Sequence, residues 1–218
     1  MMRPALVLAG IIAAGPAIAQ DLAMDTTKTD LATLQPGTYR LDQAHSSLIF
    51  AVDHIGISIF RASFDSFTAT LEMDPADPGT AKLSATIDVA SLDIPTPEPE
   101  GFRAMLTTAP WFDLTNHPEI ILVSTAIRLT GEKAAEVEAV LTINGTSAPI
   151  TMSVTALGGW VGNQYDPNAR IGFHAEGRFS RSAVGFDVGL PPPGTTMGVA
   201  DEVSFSVDAE FTGPPWEG

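Results

Sequence analysis

Four histidines and no cysteine leave few side chains fit for nucleophilic, metal-binding or acid–base work in this 218-residue chain. Without a thiol there is no disulfide, zinc–thiolate site, cysteine nucleophile or lipid-modified cysteine anchor. Serines are plentiful, yet none sits in a Gly-x-Ser-x-Gly elbow, and there is no glycine-rich phosphate loop or dinucleotide fingerprint. Two places remain. Asp42 lies three residues before His45, a spacing that suits an Asp–His hydrogen bond holding the corner that leads into a strand. With His54 the pair makes a set that matches no recognised metal-ligand spacing. His54 and Arg181 each end an otherwise apolar, alternating stripe. A histidine there is either satisfied within a core or turned to the polar head of a ligand. An arginine there is either paired with a carboxylate that closes one end, or holds a polar or phosphorylated head at a mouth.

The elements that carry these residues are strands. From Thr38 onward the dominant period is two, which means strands with one buried face. Leu48, Phe50 and Val52 share one side of Ser46 to His54. Leu83, Ala85, Ile87 and Val89 form the next stripe, followed by Val137 to Ile143 and by Ile150, Met152 and Val154. Ile171, Phe173, Ala175, Gly177 and Phe179 repeat the pattern, and Val203 to Phe211 closes it. Between Phe64 and Phe67 the apolar phase slips, which predicts a bulge. Ile120 to Ile127 is apolar on both faces, which predicts a cover on its outer side. Asn144-Gly145 between two stripes is the pair that a type I′ hairpin demands, since both central residues need positive φ.

Three segments break the alternation. Ile94 to Glu100 holds Pro95, Pro97 and Pro99 and is no central strand. Gly101 to Thr108 predicts one or two helical turns with Phe102, Leu106 and Met105 inward. Leu157 to Ala169 and Leu190 to Gly198 are Gly-, Pro- and Asn-rich and read as loops. The fold class is therefore all-β: about eight antiparallel strands with a short helical insertion, arranged as a closed barrel or a sandwich. Small residues within the inward stripes, such as Ala85, Ala139, Ala175 and Gly177, favour a cavity over a packed interior. Its lining, and so its ligand, would be apolar.

Composition sets the remaining bounds. With 26 acidic and 11 basic side chains, a net charge of −15 excludes a broad nucleic-acid-binding surface. At 44% hydrophobic residues the chain is no disordered acidic tail. Arg3, the apolar run Ala5 to Ala14 and the small residues of Ala17-Ile18-Ala19 predict a secretory signal over 1–19, cleaved before Gln20. A short extension over 20–37 and one domain over 38–213 follow. The expected location is a bacterial periplasm.

The string Tyr39-Arg40-Leu41-Asp42-Gln43-Ala44-His45-Ser46-Ser47-Leu48-Ile49-Phe50-Ala51-Val52-Asp53-His54-Ile55-Gly56 resembles the opening of the YceI-like, polyisoprenoid-binding family. Further pieces follow in the same order: Ser91-Leu92-Asp93, Trp111-Phe112-Asp113, His117-Pro118-Glu119-Ile120 with Ser124-Thr125, Leu141 to Thr146 with Pro149, and Ser180-Arg181-Ser182 with Gly185. The resemblance implies an extended, lipocalin-like antiparallel barrel whose tunnel suits a long isoprenoid, such as a polyprenyl carrier or a quinone tail. It implies no enzyme, cofactor or metal. The residues expected to meet the ligand are Phe50, Val52, His54, Phe64, Phe67, Ile87, Val89, Phe173 and Phe179, with Arg181 near a headgroup. Phe102, Leu106, Trp111 and Phe112 are expected to form a lid over the tunnel. Ala62 and Ala139 stand where the family usually has glycine, and Leu122 where it usually has phenylalanine; the two alanines are expected to narrow the tunnel. Such a shuttle would meet a membrane transiently, as a monomer or homodimer. The competing readings are a filled-core barrel that meets a partner through its acidic surface, and an enzyme acting on a lipid headgroup through His54 and Arg181.

Overall fold

Alternation of apolar and polar residues needs a partner strand on each side, and the chain meets that need by closing on itself. The computed structural model describes residues 30–94, 97, 99–163 and 165–215. The expected signal segment 1–19 and the first part of the extension lie outside the described residues. Ten strands form: β1 (Gly37–His54), β2 (Ser58–Phe64), β3 (Phe67–Met73), β4 (Lys82–Asp88), β5 (Leu92–Asp93), β6 (Glu119–Leu129), β7 (Ala134–Ile143), β8 (Thr146–Trp160), β9 (Asn168–Ser180) and β10 (Val199–Pro215). One short helix, α1 (Phe102–Leu106), stands between β5 and β6. Neighbouring strands run β10-β9-β8-β7-β6-β4-β3-β1, and β1 pairs again with β10. The result is a closed, eight-strand antiparallel barrel, which decides against a sandwich.

The long first strand makes closure compatible with a lid. Its first residues, Gly37 to Arg40, pair with Met73 to Thr70 of β3, while Ile49 to His54 pair with Ser63 to Ser58 of β2. On its other side β1 pairs with β10 over most of its length. β2 pairs onward with β5 at Ser63–Asp93 and Phe64–Leu92. β2 therefore continues β3 along one edge of β1, β5 continues β4 beside it, and the two short strands lengthen the barrel wall at the lid end.

Several local features differ from the sequence expectation. The slip between Phe64 and Phe67 is not a bulge but a break between β2 and β3. At the break the Asp65 amide donates to the Ser91 carbonyl (3.1 Å) and the Asp88 amide to the Ser66 carbonyl (2.9 Å). Both phenylalanines thereby stay buried. The Asp42–His45 corner lies inside β1, at a bulge where its register against β10 jumps between Asp42 and Ser47. Leu157 to Trp160 continue β8 rather than starting a loop, because Gly158 and Gly159 remain paired with β9. Ile121 and Val123 on β6 are exposed (40% and 46%), so no described residue covers that side. Met105 is also exposed (42%) and does not face inward. Asn144 (φ 49°) and Gly145 (φ 73°) make the expected turn between β7 and β8.

The end of the barrel opposite the lid is closed around Tyr39. The ring is fully buried, and its hydroxyl donates to the Gln35 carbonyl at 2.6 Å. Burial pushes its phenol pKa up to about 12. Gly213 on β10 lies flat against this ring, and a Cβ there would overlap it. Before β1, Asp30 caps a single 3₁₀ turn by accepting from the Ala32 amide (3.0 Å), and Leu34 behind it is buried. The segment before β1 is therefore part of the packed fold from residue 30 onward. Gly213→Ala is expected to cost about 1–3 kcal/mol by overpacking. Tyr39→Phe, which only strands the Gln35 carbonyl, is expected to cost about 1 kcal/mol. Thermal melts followed by circular dichroism would check both.

Candidate functional site

The inward stripes do not meet in the middle. They enclose a cavity of about 1000 Å³ whose wall is apolar along its length, with Asp30, Glu132 and Lys133 at one end and His54 and Arg181 at the other. From β1, Phe50, Val52 and His54 line it; β2 and β3 supply Phe64 and Phe67, β4 supplies Ile87, and β9 supplies Phe173 and Phe179. α1 and the turns after it contribute Phe102, Leu106, Trp111 and Phe112, and Arg181 stands at the same end. Small residues such as Ala85 and Ala175 leave the room that their size predicts.

Not every expectation holds. Val89 is buried (1%) but does not line the cavity. The Asp88 side chain accepts from the Ala90 amide (2.9 Å) and starts a 3₁₀ turn over Val89–Ser91, which takes Val89 off the strand's inward phase. Gly177 makes no room for a ligand: a Cβ there would lie 2.6 Å from Cζ of Phe205, so that ring fills the space. Ala62 and Ala139 are core residues (2% exposed each) and do not reach the cavity wall, so their methyl groups do not narrow it. Leu122 does line it.

The lid is tied down by rings. Phe102 meets Phe60 edge-on at 6.1 Å, Phe60 meets Phe50 at 6.4 Å, and Phe50 stacks on Phe64 at 5.6 Å. Phe64 meets Phe112 at 5.6 Å, Phe112 meets Phe186 at 5.1 Å, and Trp111 closes on Phe186 at 5.8 Å. Such contacts contribute about 0.5–1.5 kcal/mol each beyond burial. Polar pins hold the backbone: Nδ2 of Asn144 donates to the Trp111 carbonyl (2.6 Å), and Arg103 donates to the Leu92 carbonyl (2.6 Å) and to Asp93 (3.2 Å). The turn asparagine and the helix arginine therefore both serve the lid. Phe186 carries no sequence signal, because it falls in an irregular stretch.

Arg181 is buried (3%) and pairs with no carboxylate among the described residues. Its Nε donates to the Ala200 carbonyl (2.8 Å), one terminal nitrogen to Phe186 and Val188 (2.8 and 2.6 Å), and the other to Val199 (2.7 Å). It clamps the two ends of the loop over 186–200 through their carbonyls. Burial draws its pKa below the usual arginine range, while the Asp201 and Asp187 charges pull it back. Asp201 itself takes the amide and hydroxyl of Ser182 at 2.8 and 2.9 Å. His54 is exposed at the mouth rather than satisfied in a core, and its side chain has no hydrogen-bond partner among the described residues.

At the opposite end the cavity wall includes Asp30, Leu31, Glu132 and Lys133. Sequence reasoning passed over Leu31, although the Asp30 cap and the Leu31–Leu34 spacing are the signal that finds it. Near this end Asp42 accepts from His45 (3.0 Å), as the spacing predicts. The oxygens of Asp42 and Glu210 and the His45 ring lie close enough to ligate an ion. His54 is at the far mouth and is not part of the group. The place of a cation is taken by Arg170, which donates to Asp166 (2.6 Å), Asp42 (3.0 Å) and Glu210 (2.5 Å). The hydrogen bonds from His45 first, and then from Arg170, hold the Asp42 carboxyl below its ordinary value; the same contact with Asp42 raises the pKa of His45.

A closed antiparallel barrel around one long apolar cavity defines a ligand-binding barrel. The chain belongs to the YceI-like domain family, whose match spans residues 39–211. A UPF0312 protein of Pseudomonas putida strain W619 is 29% identical over 184 residues, covering 83% of this chain and 90% of that relative. One from Pseudomonas syringae pv. syringae is 28% identical over 189 residues, covering 84% and 93%. The crystal structure of Burkholderia cenocepacia BcnA superimposes with a TM-score of 0.63 at 28% identity, covering 78% of this chain and 98% of that one. A polyisoprenoid binding domain from Saccharophagus degradans, implicated in plant cell wall breakdown, shares the fold at TM-score 0.60 and 14% identity, covering 81% and 98%.

Two outcomes follow from the polar clusters. Arg181→Ala leaves four carbonyls without their donor and is expected to cost about 3 kcal/mol or more in chemical denaturation. Arg181→Lys is not expected to restore it, since an ammonium lacks the planar fork. For Asp42, the lowered folded pKa means its contribution is full above the unfolded value and is lost as pH falls through the folded one. The raised pKa of His45 means its contribution is full below the unfolded histidine value and is lost as pH rises through the folded one. The melting-temperature gap between the native protein and Asp42→Asn is therefore expected to be widest near about pH 5, between the carboxylate and imidazole ranges.

Proposed function

We propose that this chain is a non-enzymatic binder and carrier of an isoprenoid or similar long-chain lipid, working in the periplasm after its signal segment is removed. The observation that carries this reading is the apolar cavity of about 1000 Å³ running inside a closed barrel. A filled-core barrel would bring its inward stripes together, and here they stand apart. The headgroup-enzyme alternative needs His54 and Arg181 as a working pair, whereas Arg181 spends its donors on backbone carbonyls. The polyisoprenoid binding domain of Saccharophagus degradans supports the choice of ligand class through its shared fold.

The energetics suit a carrier. Burial gives about 0.8 kcal/mol per methylene relative to water. A bilayer gives nearly the same, so a tunnel needs only to match the membrane for exchange to run both ways. Passage in and out falls to the aromatic lid and the short wall strands β2 and β5 beside it, which pair with each other over only two positions. A lid of this kind sequesters what it covers when closed.

Native mass spectrometry of the protein, followed by lipid extraction, is expected to show a long-chain lipid bound. Ala175→Trp, which places an indole in the cavity, is expected to lower uptake of a polyprenyl alcohol by about tenfold or more. Far-UV circular dichroism should be unchanged in that variant. Saturating lipid is expected to raise the melting temperature of the native protein by about 5–10 °C. A protein that is empty as isolated and takes up no polyprenyl alcohol overturns the reading.

A further inference from the structure

The two ends of the cavity differ in charge, and the difference bears on how a lipid reaches it. One end is rimmed by Asp30, Glu132 and Lys133. At the other, the wall ends at the exposed His54, where the cavity also meets solvent. Two loops flank that mouth. The β1–β2 hairpin tip turns at Ile55 and Gly56, its shape fixed by the Asp53 carboxylate accepting from the Gly56 amide (2.7 Å). The loop before β10 lies against it: the Ile55 amide donates to the Gly198 carbonyl (2.9 Å), and Gly56 faces Thr196 so closely that a Cβ would lie 3.0 Å from its hydroxyl.

This tip joins uncharged sequence to exposed apolar side chains. In a chain of net charge −15, neither Ile55 to Phe60 nor Val188 to Ala200 holds a single Asp, Glu, Lys or Arg. Yet it presents Ile57 at 80% and Met197 at 70% exposure, with Ile59 at 48% just behind. Large apolar side chains this exposed on adjoining loops mark an interaction surface.

We infer that this tip is the membrane-docking surface of the protein, with Ile57 and Met197 entering the headgroup layer of a bilayer and setting the His54 mouth against it. The inference rests on the lipid-carrier reading for its purpose, but not for its test. Charge selects the occupant. An anionic bilayer surface repels an acidic protein, and the segments Ile55–Phe60 and Val188–Ala200 offer it apolar contact with no carboxylate. Shallow insertion of a few apolar side chains gives reversible rather than permanent attachment. The charged end then faces water, so a lipid tail passes between membrane and cavity at one end only.

The absence of native cysteine makes the test direct. The chain is labelled with an environment-sensitive nitrobenzoxadiazole at Ser58→Cys on the tip, or at Thr125→Cys on the exposed side of β6. Each is mixed with phosphatidylcholine vesicles containing about 20% phosphatidylglycerol. Emission is expected to rise by about twofold or more at Ser58→Cys and not at Thr125→Cys, and adding Ile57→Asp should abolish the rise. Ile57→Asp should also slow transfer of a fluorescent polyprenyl lipid between vesicles by about tenfold, with uptake from detergent solution unchanged. No rise at Ser58→Cys, or an equal rise at both sites, overturns the docking surface while leaving lipid binding standing. Conversion of a dimer to a monomer by Ile57→Asp, seen by light scattering, assigns the tip to a second copy and also overturns it. Failure of uptake from detergent counts against the carrier reading alone, since the label response does not require a bound lipid.

Discussion

The pairing of β1 with β10 is the contact on which the rest depends. Without it the sheet has two open edges, a long row of unpaired amides and carbonyls on each, and an apolar face with nothing to cover it. With it the sheet becomes its own cover. A chain without cysteine has no covalent means of holding a cavity open. Backbone hydrogen bonds around a ring do that work instead, because they fix the diameter regardless of how completely the inside is filled.

A hollow interior forgoes part of the packing that stabilises an ordinary core, and the structure recovers it at the ends. Tyr39, Leu34 and Phe211 form a dense group at one end. Phenylalanine rings and Trp111 do the same at the other, where Arg181 gathers a long loop onto four carbonyl contacts. The middle is left to small residues and to the edges of large ones. Charge follows the same division: Arg170 collects three carboxylates near the Tyr39 end, and the loop segments Ile55–Phe60 and Val188–Ala200 beside His54 carry none.

The period-two stripes made the barrel legible, because every inward residue of a half-buried strand announces its phase. The helix over Phe102–Leu106 and the Asn144-Gly145 turn were legible for similar local reasons. Features that arise between distant segments were not. Nothing near Gly177 says that Phe205 will occupy its space. Nothing near Arg181 says that its partners will be carbonyls more than a turn away in the chain. Val89 reads as one more inward residue until Asp88 caps a turn and removes it from the strand. Ala62 and Ala139 read as tunnel residues because they stand where the resembled family usually has glycine, yet neither that nor the inward phase of Ala139 says whether neighbours cover them.

The long first strand has a mechanical consequence. β1 carries β10 along one edge and, on the other, β3 near its start and β2 near its end. β5 pairs with β2 over only two positions. The wall at the lid end therefore rests on short ladders, β1–β2 and β2–β5, which can open without breaking the pairing of β3 with β1 and β4. Local unfolding of this kind draws on a small part of the global stability. The molecule is thus built in two tiers of cooperativity, a durable hoop and a looser rim at the lid end, and amide exchange in the rim can run far ahead of exchange in the hoop.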